Sequence, residues 1–311
     1  MELAAALARI GHTGPVAPDL ATLRALHRAW LASVPYENLD IQLERGISLE
    51  PSALVDKLIT RRRGGYCYEM NGALGLLLEA AGFTVTRVKA GVYRETRGDE
   101  VWGNHLALLV ALDGETWLAD VGLGDGALEP LPLRAGHHTV GPLGYRIARI
   151  EEQIWRISTD HPDYSVPSFD IDTTPRRLAD FAERNSWQST SPDSSFVKTL
   201  ALLRPHHDHA AALRGRTVTR YGPAVPGGKQ TPRAVHCGGV RGGAGQRVRG
   251  AGGRAGRRAG HAVAEGERAA RSLARQPGGQ MSGLLQEAGT EGAAIVQVAG
   301  TAGAAIMQVA G

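Results

Sequence analysis

Residues 61–71 of this 311-residue chain read Arg61-Arg62-Arg63-Gly64-Gly65-Tyr66-Cys67-Tyr68-Glu69-Met70-Asn71. One cysteine follows two glycines and opens an apolar helix. The buried side of that helix is expected to be Ala73, Leu74, Leu76, Leu77, Leu78, Ala80 and Ala81, with Gly82 as its left-handed stop. A thiol at a helix N-terminus sits beside unpaired backbone N–H groups and the positive end of the dipole, and both favour thiolate. Gly64 and Gly65 permit a sharp turn that would leave the sulfur uncovered. The competing reading is an inert buried cysteine, the usual fate of a free thiol. These residues alone leave both readings open.

A cysteine nucleophile needs a base, usually His, and a group that orients the base. Among the 11 histidines, strand geometry selects His105. Asp113-Gly114 between two apolar runs signals a two-residue type I′ hairpin. Such a turn pairs Leu112 with Glu115 and sets Asp120 opposite Ala107. His105 and Asp120 then become diagonal neighbours on one sheet face, whereas a one-residue slip would separate them. The bland alternative is a satisfied surface His and a turn-proximal Asp. Directly after Asp120 come Gly122, Gly124 and Gly126. Glycines leaving a strand let backbone amides approach a ligand such as a phosphate, although the same pattern serves ordinary turns. The run His206-His207-Asp208-His209 has metal-ligand residue types but no matching second cluster, so no metal is assigned. His137-His138 reads as a solvated, Gly-flanked loop. Arg61–Arg63 reads either as a solvated helix end or as a source of positive potential near the thiol.

Three segments must position these residues. From Asp19, a capping residue, Leu20, Leu23, Leu26, Trp30, Leu31 and Val34 recur at helical spacing until Pro35. A second helix runs from about Ser52 through Ile59, and the cysteine helix follows, giving a helical domain over 1–82. At Phe83 the period changes. Residues 84–94, 105–112, 115–121, 143–150 and 153–159 read as strands, and a short helix follows Pro175. The middle domain, 83–196, is therefore expected to be a small antiparallel barrel or sandwich, and the fold class α+β. Residues 197–222 begin a third domain.

The composition breaks near residue 223. Every aromatic residue lies before residue 222, and 21 of the 41 glycines lie after it. Residues 223–311 carry eleven Lys/Arg and four Glu, whereas the first 222 residues carry 24 Lys/Arg against 27 Asp/Glu. The basic balance thus belongs to the tail, and the body has no basic face for nucleic acid. Segments such as 247–254 cannot build a core, so the tail reads as largely disordered, with a helical piece near 262–275. It ends in an 11-residue near-repeat, too few copies for a solenoid. So abrupt a loss of aromatics and Asp is what a shift of coding frame in a GC-rich gene would leave. Only Cys67 and Cys237 occur, no apolar run reaches spanning length, and the start lacks a signal-peptide pattern. A cytoplasmic protein without a membrane partner is the expectation.

Beside this reading, the chain resembles the arylamine N-acetyltransferases over about residues 7–221. Arg63–Asn71 resembles the family's cysteine motif. Pro35-Tyr36-Glu37-Asn38-Leu39 resembles its Pro-Phe-Glu-Asn-Leu signature, with Tyr36 in place of Phe. Asn104-His105 and Asp120-Val121-Gly122 match the remaining triad segments in order and spacing. Ser189–Pro192 and Leu213–Thr217 resemble later segments. The resemblance implies a helical bundle, a β-barrel, a C-terminal α/β lid and a cysteine-proteinase-like Cys67-His105-Asp120 core. It implies acetyl-CoA as co-substrate, no tightly bound cofactor, and an arylamine, hydrazine or arylhydroxylamine as acceptor. Gly122, Gly124, Gly126 and Thr217 become candidates for the CoA site, and Tyr36, Tyr68 and Tyr93 for the acceptor pocket. After residue 222 the sequence departs from the family, which predicts an incomplete or altered lid. Two rival readings remain: a Cys-His-Asp hydrolase or transglutaminase-like enzyme, and a catalytically impaired binding protein with a basic tail.

Overall fold

The computed structural model describes residues 1–231 and, beyond them, the backbone of three strands, Ser282–Gln286, Ile295–Gly300 and Gly303–Gln308. Two compact units result, Met1–Thr231 and Pro232–Gly311.

The first unit opens with α1 (Leu3–Ile10) and α2 (Leu20–Ser33). Asp19 caps α2 as expected, its carboxylate accepting the Thr22 N–H at 2.7 Å. After Pro35 come β1 (Tyr36–Glu37), α3 (Leu39–Gln42) and α4 (Pro51–Leu54). The chain then widens into a π-helical stretch, Val55–Thr60, before α5 (Cys67–Ala80). Leu23, Leu26 and Trp30 of α2 are buried, as are Leu74, Leu77 and Leu78 of α5. Ala80 is exposed, one step beyond the apolar stripe. Gly82 has φ +91° and its N–H bonds the Glu79 carbonyl, so the left-handed stop stands where the sequence puts it.

The second layer is an eight-stranded antiparallel sheet built from β2 (Thr84–Val92), β3 (His105–Leu112), β4 (Glu115–Leu118), β5 (Leu131–Pro132), β6 (Gly136–Val140), β7 (Leu143–Arg149), β8 (Ile154–Thr159) and β9 (Ser168–Arg176). Their order is β5-β4-β3-β2-β9-β8-β7-β6. The two edge strands are consecutive in sequence, so the sheet is a nearly closed barrel without a ladder between them among the described residues. The hairpin has the register that a two-residue turn dictates: Leu112 faces Glu115 and Val110 faces Trp117. Asp113 and Gly114 have φ of +52° and +79°, as a type I′ turn requires.

Two parts of the barrel differ from the sequence expectation. His137-His138 is not a loop but lies on β6, paired with Arg146 and Tyr145 of β7. β9 was not anticipated at all, although it lies between β2 and β8 in the sheet. Its Asp170 is fully buried and bonded to Arg94 at 3.0 Å and Arg156 at 2.7 Å. Ion pairing thus lets a polar strand sit inside. Pro175 is tolerated because the register shifts beside it, at Val88/Lys89 of β2.

A short helix, α6 (Arg94–Arg97), lies between β2 and β3, and after β9 come α7 (Ala182–Thr190) and α8 (Ser195–Lys198). A five-stranded sheet follows from β10 (Ala201–Pro205), β11 (Ala210–Arg214), β12 (Thr217–Tyr221) and β13 (Lys229–Gln230), with β1 as its first strand. Tyr36 pairs with Leu203 on one side and bridges Gly65 in parallel on the other. Asn38 holds the junction. Its amide donates to the Phe196 and Thr199 carbonyls at 2.8 Å, and its oxygen accepts the Ala201 N–H at 2.7 Å. The folded part runs on past residue 222: β13 pairs with Arg220 and Tyr221, and Val225 is buried.

In the second unit, β14 (Ser282–Gln286), β15 (Ile295–Gly300) and β16 (Gly303–Gln308) form an antiparallel sheet in that order. The two copies of the near-repeat supply β15 and β16, and Gly300 faces Gly303. The helical piece expected near 262–275 lies outside the described residues.

Candidate active site

Cys67 is the first residue of α5, and the segment before it is packed rather than open. A Cβ on Gly64 would lie 2.2 Å from the Pro35 carbonyl oxygen, and one on Gly65 would lie 2.8 Å from the Glu69 side chain. These glycines therefore serve close approach between the cysteine loop and β1, and they do not bare the sulfur: Cys67 is 3% exposed. Arg63 is also buried, contrary to a solvated helix end. It bonds Asp40 at 3.2 Å and Glu37 at 3.5 Å, while Lys57 bonds Asp40 at 2.8 Å and Glu69 at 2.7 Å. Burial works to lower the Lys57 ammonium, but Glu69, Glu37 and Asp40 raise it on balance, so it stays charged.

On the other side of Cys67, His105 opens β3 and Asp120 follows β4. The Ala119 N–H bonds the Leu108 carbonyl at 2.9 Å, which carries the hairpin register one step past β4. The expected diagonal contact is present: His105 Nε2 lies 2.7 Å from Asp120 Oδ2, both side chains buried. The Phe169 ring meets the imidazole edge-on at 6.1 Å between centroids. Burial works to raise the Asp120 carboxyl, but His105, Asn71 and the Gly122 N–H together hold it below the usual carboxylate range.

Gly122 joins the three segments. A Cβ there would lie 3.0 Å from the Cys67 carbonyl oxygen, 3.0 Å from His105 Cε1 and 2.6 Å from Asn71 Nδ2. No larger residue fits between nucleophile candidate and base candidate. Gly124 has φ +83° and faces the Tyr36 ring and Leu203, while Gly126 borders a small cavity of about 30 Å³ with Asp120, Leu123, Tyr145 and Phe169. Thr217 lies apart at the exposed start of β12, opposite Arg214.

The thiol itself departs from the dipole argument. Burial, the largest influence, pushes the Cys67 thiol up, and the Asp120 and Glu69 carboxylates add to that. The N–H groups of Tyr68 and Cys67 pull the other way and lose. A standing thiolate is therefore not supplied by the helix end, and ionisation of Cys67 requires a base to receive its proton.

Among the tyrosines, Tyr36 is buried against Gly124. Tyr68 is fully buried, its hydroxyl donating to the Gly103 carbonyl at 2.5 Å and its ring edge-on to Tyr66. Tyr93 is 38% exposed and left-handed, with φ +65°, and its hydroxyl donates to the Ser165 carbonyl.

Three polar residues were not singled out by the sequence. Asn71 is one turn beyond Cys67 on the same helix face, a spacing that could have found it. Its Nδ2 donates to Asp120 Oδ1 at 2.7 Å and to the Leu106 carbonyl at 2.6 Å, and its Oδ1 accepts the Val121 N–H at 2.9 Å. Asn104 clips its side chain to both polar groups of Val92, at 2.9 and 3.1 Å, fixing the residue before His105. Gln188 of α7 donates to the Asn104 carbonyl at 3.1 Å, and nothing local announces that contact across 84 positions.

Known proteins bear on this arrangement. A family model described as N-acetyltransferase matches residues 19–235. The arylamine N-acetyltransferase of Escherichia coli (strain K12) is 34% identical over 199 residues, 63% of this chain and 70% of that protein. The enzyme of Mycolicibacterium smegmatis is 35% identical over 233 residues, covering 70% of this chain and 82% of its own. The structure of the Mycobacterium marinum arylamine N-acetyltransferase in complex with CoA superposes with a TM-score of 0.67 at 30% identity, over 74% of this chain and 86% of that one. On the family match and these relatives, the chain belongs to the arylamine N-acetyltransferases.

Proposed function

We propose that this enzyme moves an acetyl group from acetyl-CoA to an arylamine, hydrazine or arylhydroxylamine through an acetyl-Cys67 intermediate. The observation that carries the proposal is the buried His105–Asp120 contact of 2.7 Å, with Gly122 wedged against both the imidazole and the Cys67 carbonyl. Because Nε2 faces Asp120, Nδ1 is the nitrogen left for Cys67. The proton of the buried thiol passes to His105 as the sulfur attacks the acetyl carbonyl, and Asp120 stabilises the imidazolium. Backbone amides at the start of α5 hold the tetrahedral oxyanion. Collapse breaks the carbon–sulfur bond to CoA, whose thiolate takes the proton from His105. In the second half, the amine attacks acetyl-Cys67, His105 takes its proton, and collapse returns Cys67 to the thiol. Flat, weakly basic amines suit this step because they are unprotonated at neutral pH.

Tyr36 forms a wall of the acceptor pocket over Gly124, Tyr93 stands at its mouth, and Tyr68 backs the site from the core. Gly122, Gly124, Gly126 and Thr217 are assigned to the CoA side. The test is mass spectrometry after incubation with acetyl-CoA. The peptide containing Cys67 gains about 42 Da, and the gain clears when an arylamine is added. An adduct that clears at the same rate with water alone would favour the hydrolase reading. No adduct at all on an intact fold would sink the proposal.

A further inference from the structure

Gln188 has a polar atom that the protein leaves without a partner. It is 6% exposed, on α7. Its Nε2 donates to the Asn104 carbonyl at 3.1 Å, which fixes the amide's orientation, since a flipped amide would set two oxygens face to face. Its Oε1 is buried and has no hydrogen-bond partner among the described residues. A buried acceptor left unpaired is costly, and such atoms call for a bound donor.

The place of this atom gives it meaning. The Asn104 carbonyl that Gln188 grips is the oxygen toward which the Cys67 thiol points, at 3.9 Å. The next residue is His105. The helix bearing Gln188 is itself held: Tyr66 donates its hydroxyl to Asn185, Asn185 donates to the Ile47 carbonyl at 3.0 Å, and Ser194 donates to the Gln188 carbonyl at 2.6 Å. An orphan acceptor on a held helix is therefore linked to the thiol through one shared oxygen, the Asn104 carbonyl.

The geometry points to Gln188 Oε1 as a subsite that accepts an N–H from the ligand at Cys67. This deepens the function proposed above and rests on it. Two ligands carry an N–H near the transferred acyl group. One is the acyl donor, whose thiol arm has an amide N–H two carbons from sulfur. The other is the amine acceptor, which keeps an N–H after giving one proton to His105.

The test uses the full chain, the Gln188→Met variant and three separate rates. These are acetylation of Cys67 by acetyl-CoA, acetylation of Cys67 by p-nitrophenyl acetate, which has no N–H, and transfer from acetyl-Cys67 to aniline. The variant loses the grip on Asn104 in all three reactions, and one N–H-bearing reaction is expected to fall roughly tenfold further than the p-nitrophenyl acetate rate. The further loss with acetyl-CoA assigns the donor amide, and the further loss with aniline assigns the acceptor. Equal loss in all three, or loss in none, overturns the inference. Gln188→Glu keeps an acceptor oxygen but gives up the donor to Asn104, so it retains the parent's ratio of the affected rate to the p-nitrophenyl acetate rate. A variant pair with the opposite pattern also overturns it. Failure of the parent to be acetylated by either reagent removes Cys67 as nucleophile, and this inference falls with that reading.

Discussion

Two buried polar clusters flank the cysteine loop and differ in kind. On one side, Lys57, Arg63, Asp40, Glu37 and Glu69 form a knot of ion pairs. On the other, His105, Asp120 and Asn71 form a chain of hydrogen bonds around an imidazole. The first cluster pairs cations with anions, and within it burial pushes the Glu69 carboxyl up to about 7 against the pull of Lys57. The second contains an imidazole that can take a proton and a carboxylate that keeps its charge to receive it. Burial is common to both, so burial alone does not mark a reactive site. What separates them is the pairing: Glu69 is held by an ammonium, whereas His105 is held by a carboxylate.

The comparison breaks first, and hardest, at the sulfur. Cys67→Ala should remove all CoA release while leaving the melting temperature close to the parent's, because the loss of one small buried atom is modest. Residual CoA release above background would move the nucleophile elsewhere. Asp120→Asn should come next, with kcat down by about 10³–10⁴, since the amide no longer stabilises an imidazolium. A drop of less than tenfold in a steady-state assay would count against His105 as the base.

The charge knot should answer in the opposite currency. Arg63→Ala leaves Asp40 and Glu37 short of a partner and should cost about 3–5 kcal/mol in urea unfolding. Turnover per folded molecule should fall far less than in Asp120→Asn. A variant as stable as the parent but inactive would mean that the two clusters are not separable. Asn71→Ala lies between them. It leaves the Val121 N–H unpaired and deprives Asp120 of a donor, for a predicted loss of about 1–3 kcal/mol together with a lower kcat.

The smallest effect comes from His27, behind Asp120. Burial, the main influence, lowers its pKa to about 4, only partly opposed by the Leu128 carbonyl and Asp120. The unfolded chain therefore binds this proton first as pH falls. The group's contribution is complete above its unfolded pKa and is lost as pH falls toward about 4. Between pH 8 and pH 5 that amounts to about 2 kcal/mol. His27→Gln should flatten this slope in urea midpoints taken at the two pH values. An unchanged slope would place the titration on another group.

What the sequence revealed follows the range over which each signal acts. Asp113-Gly114 fixes its turn within a few residues, so the register and the meeting of His105 with Asp120 could be worked out in advance. The Asp19 cap and Gly82 stop are equally local. The state of the thiol stays open in the sequence because the dipole argument uses only α5, whereas burial depends on the whole fold around Cys67. Arg63 looked solvated because its partners Asp40 and Glu37 lie more than a helix away in sequence. β9 was hidden by its Asp and Thr residues, whose tolerance depends on Arg94 and Arg156. Gln188 is the extreme case, visible only once α7 is folded against the residue before His105.

The parallel bridge between Tyr36 and Gly65, with Tyr36 also paired to Leu203, has a mechanical meaning. It makes a two-residue strand the shared seam of the cysteine loop and the last sheet of the first unit. Pulling that sheet away would strain the backbone that leads to Cys67. The cysteine loop and that sheet thus share one strand of backbone.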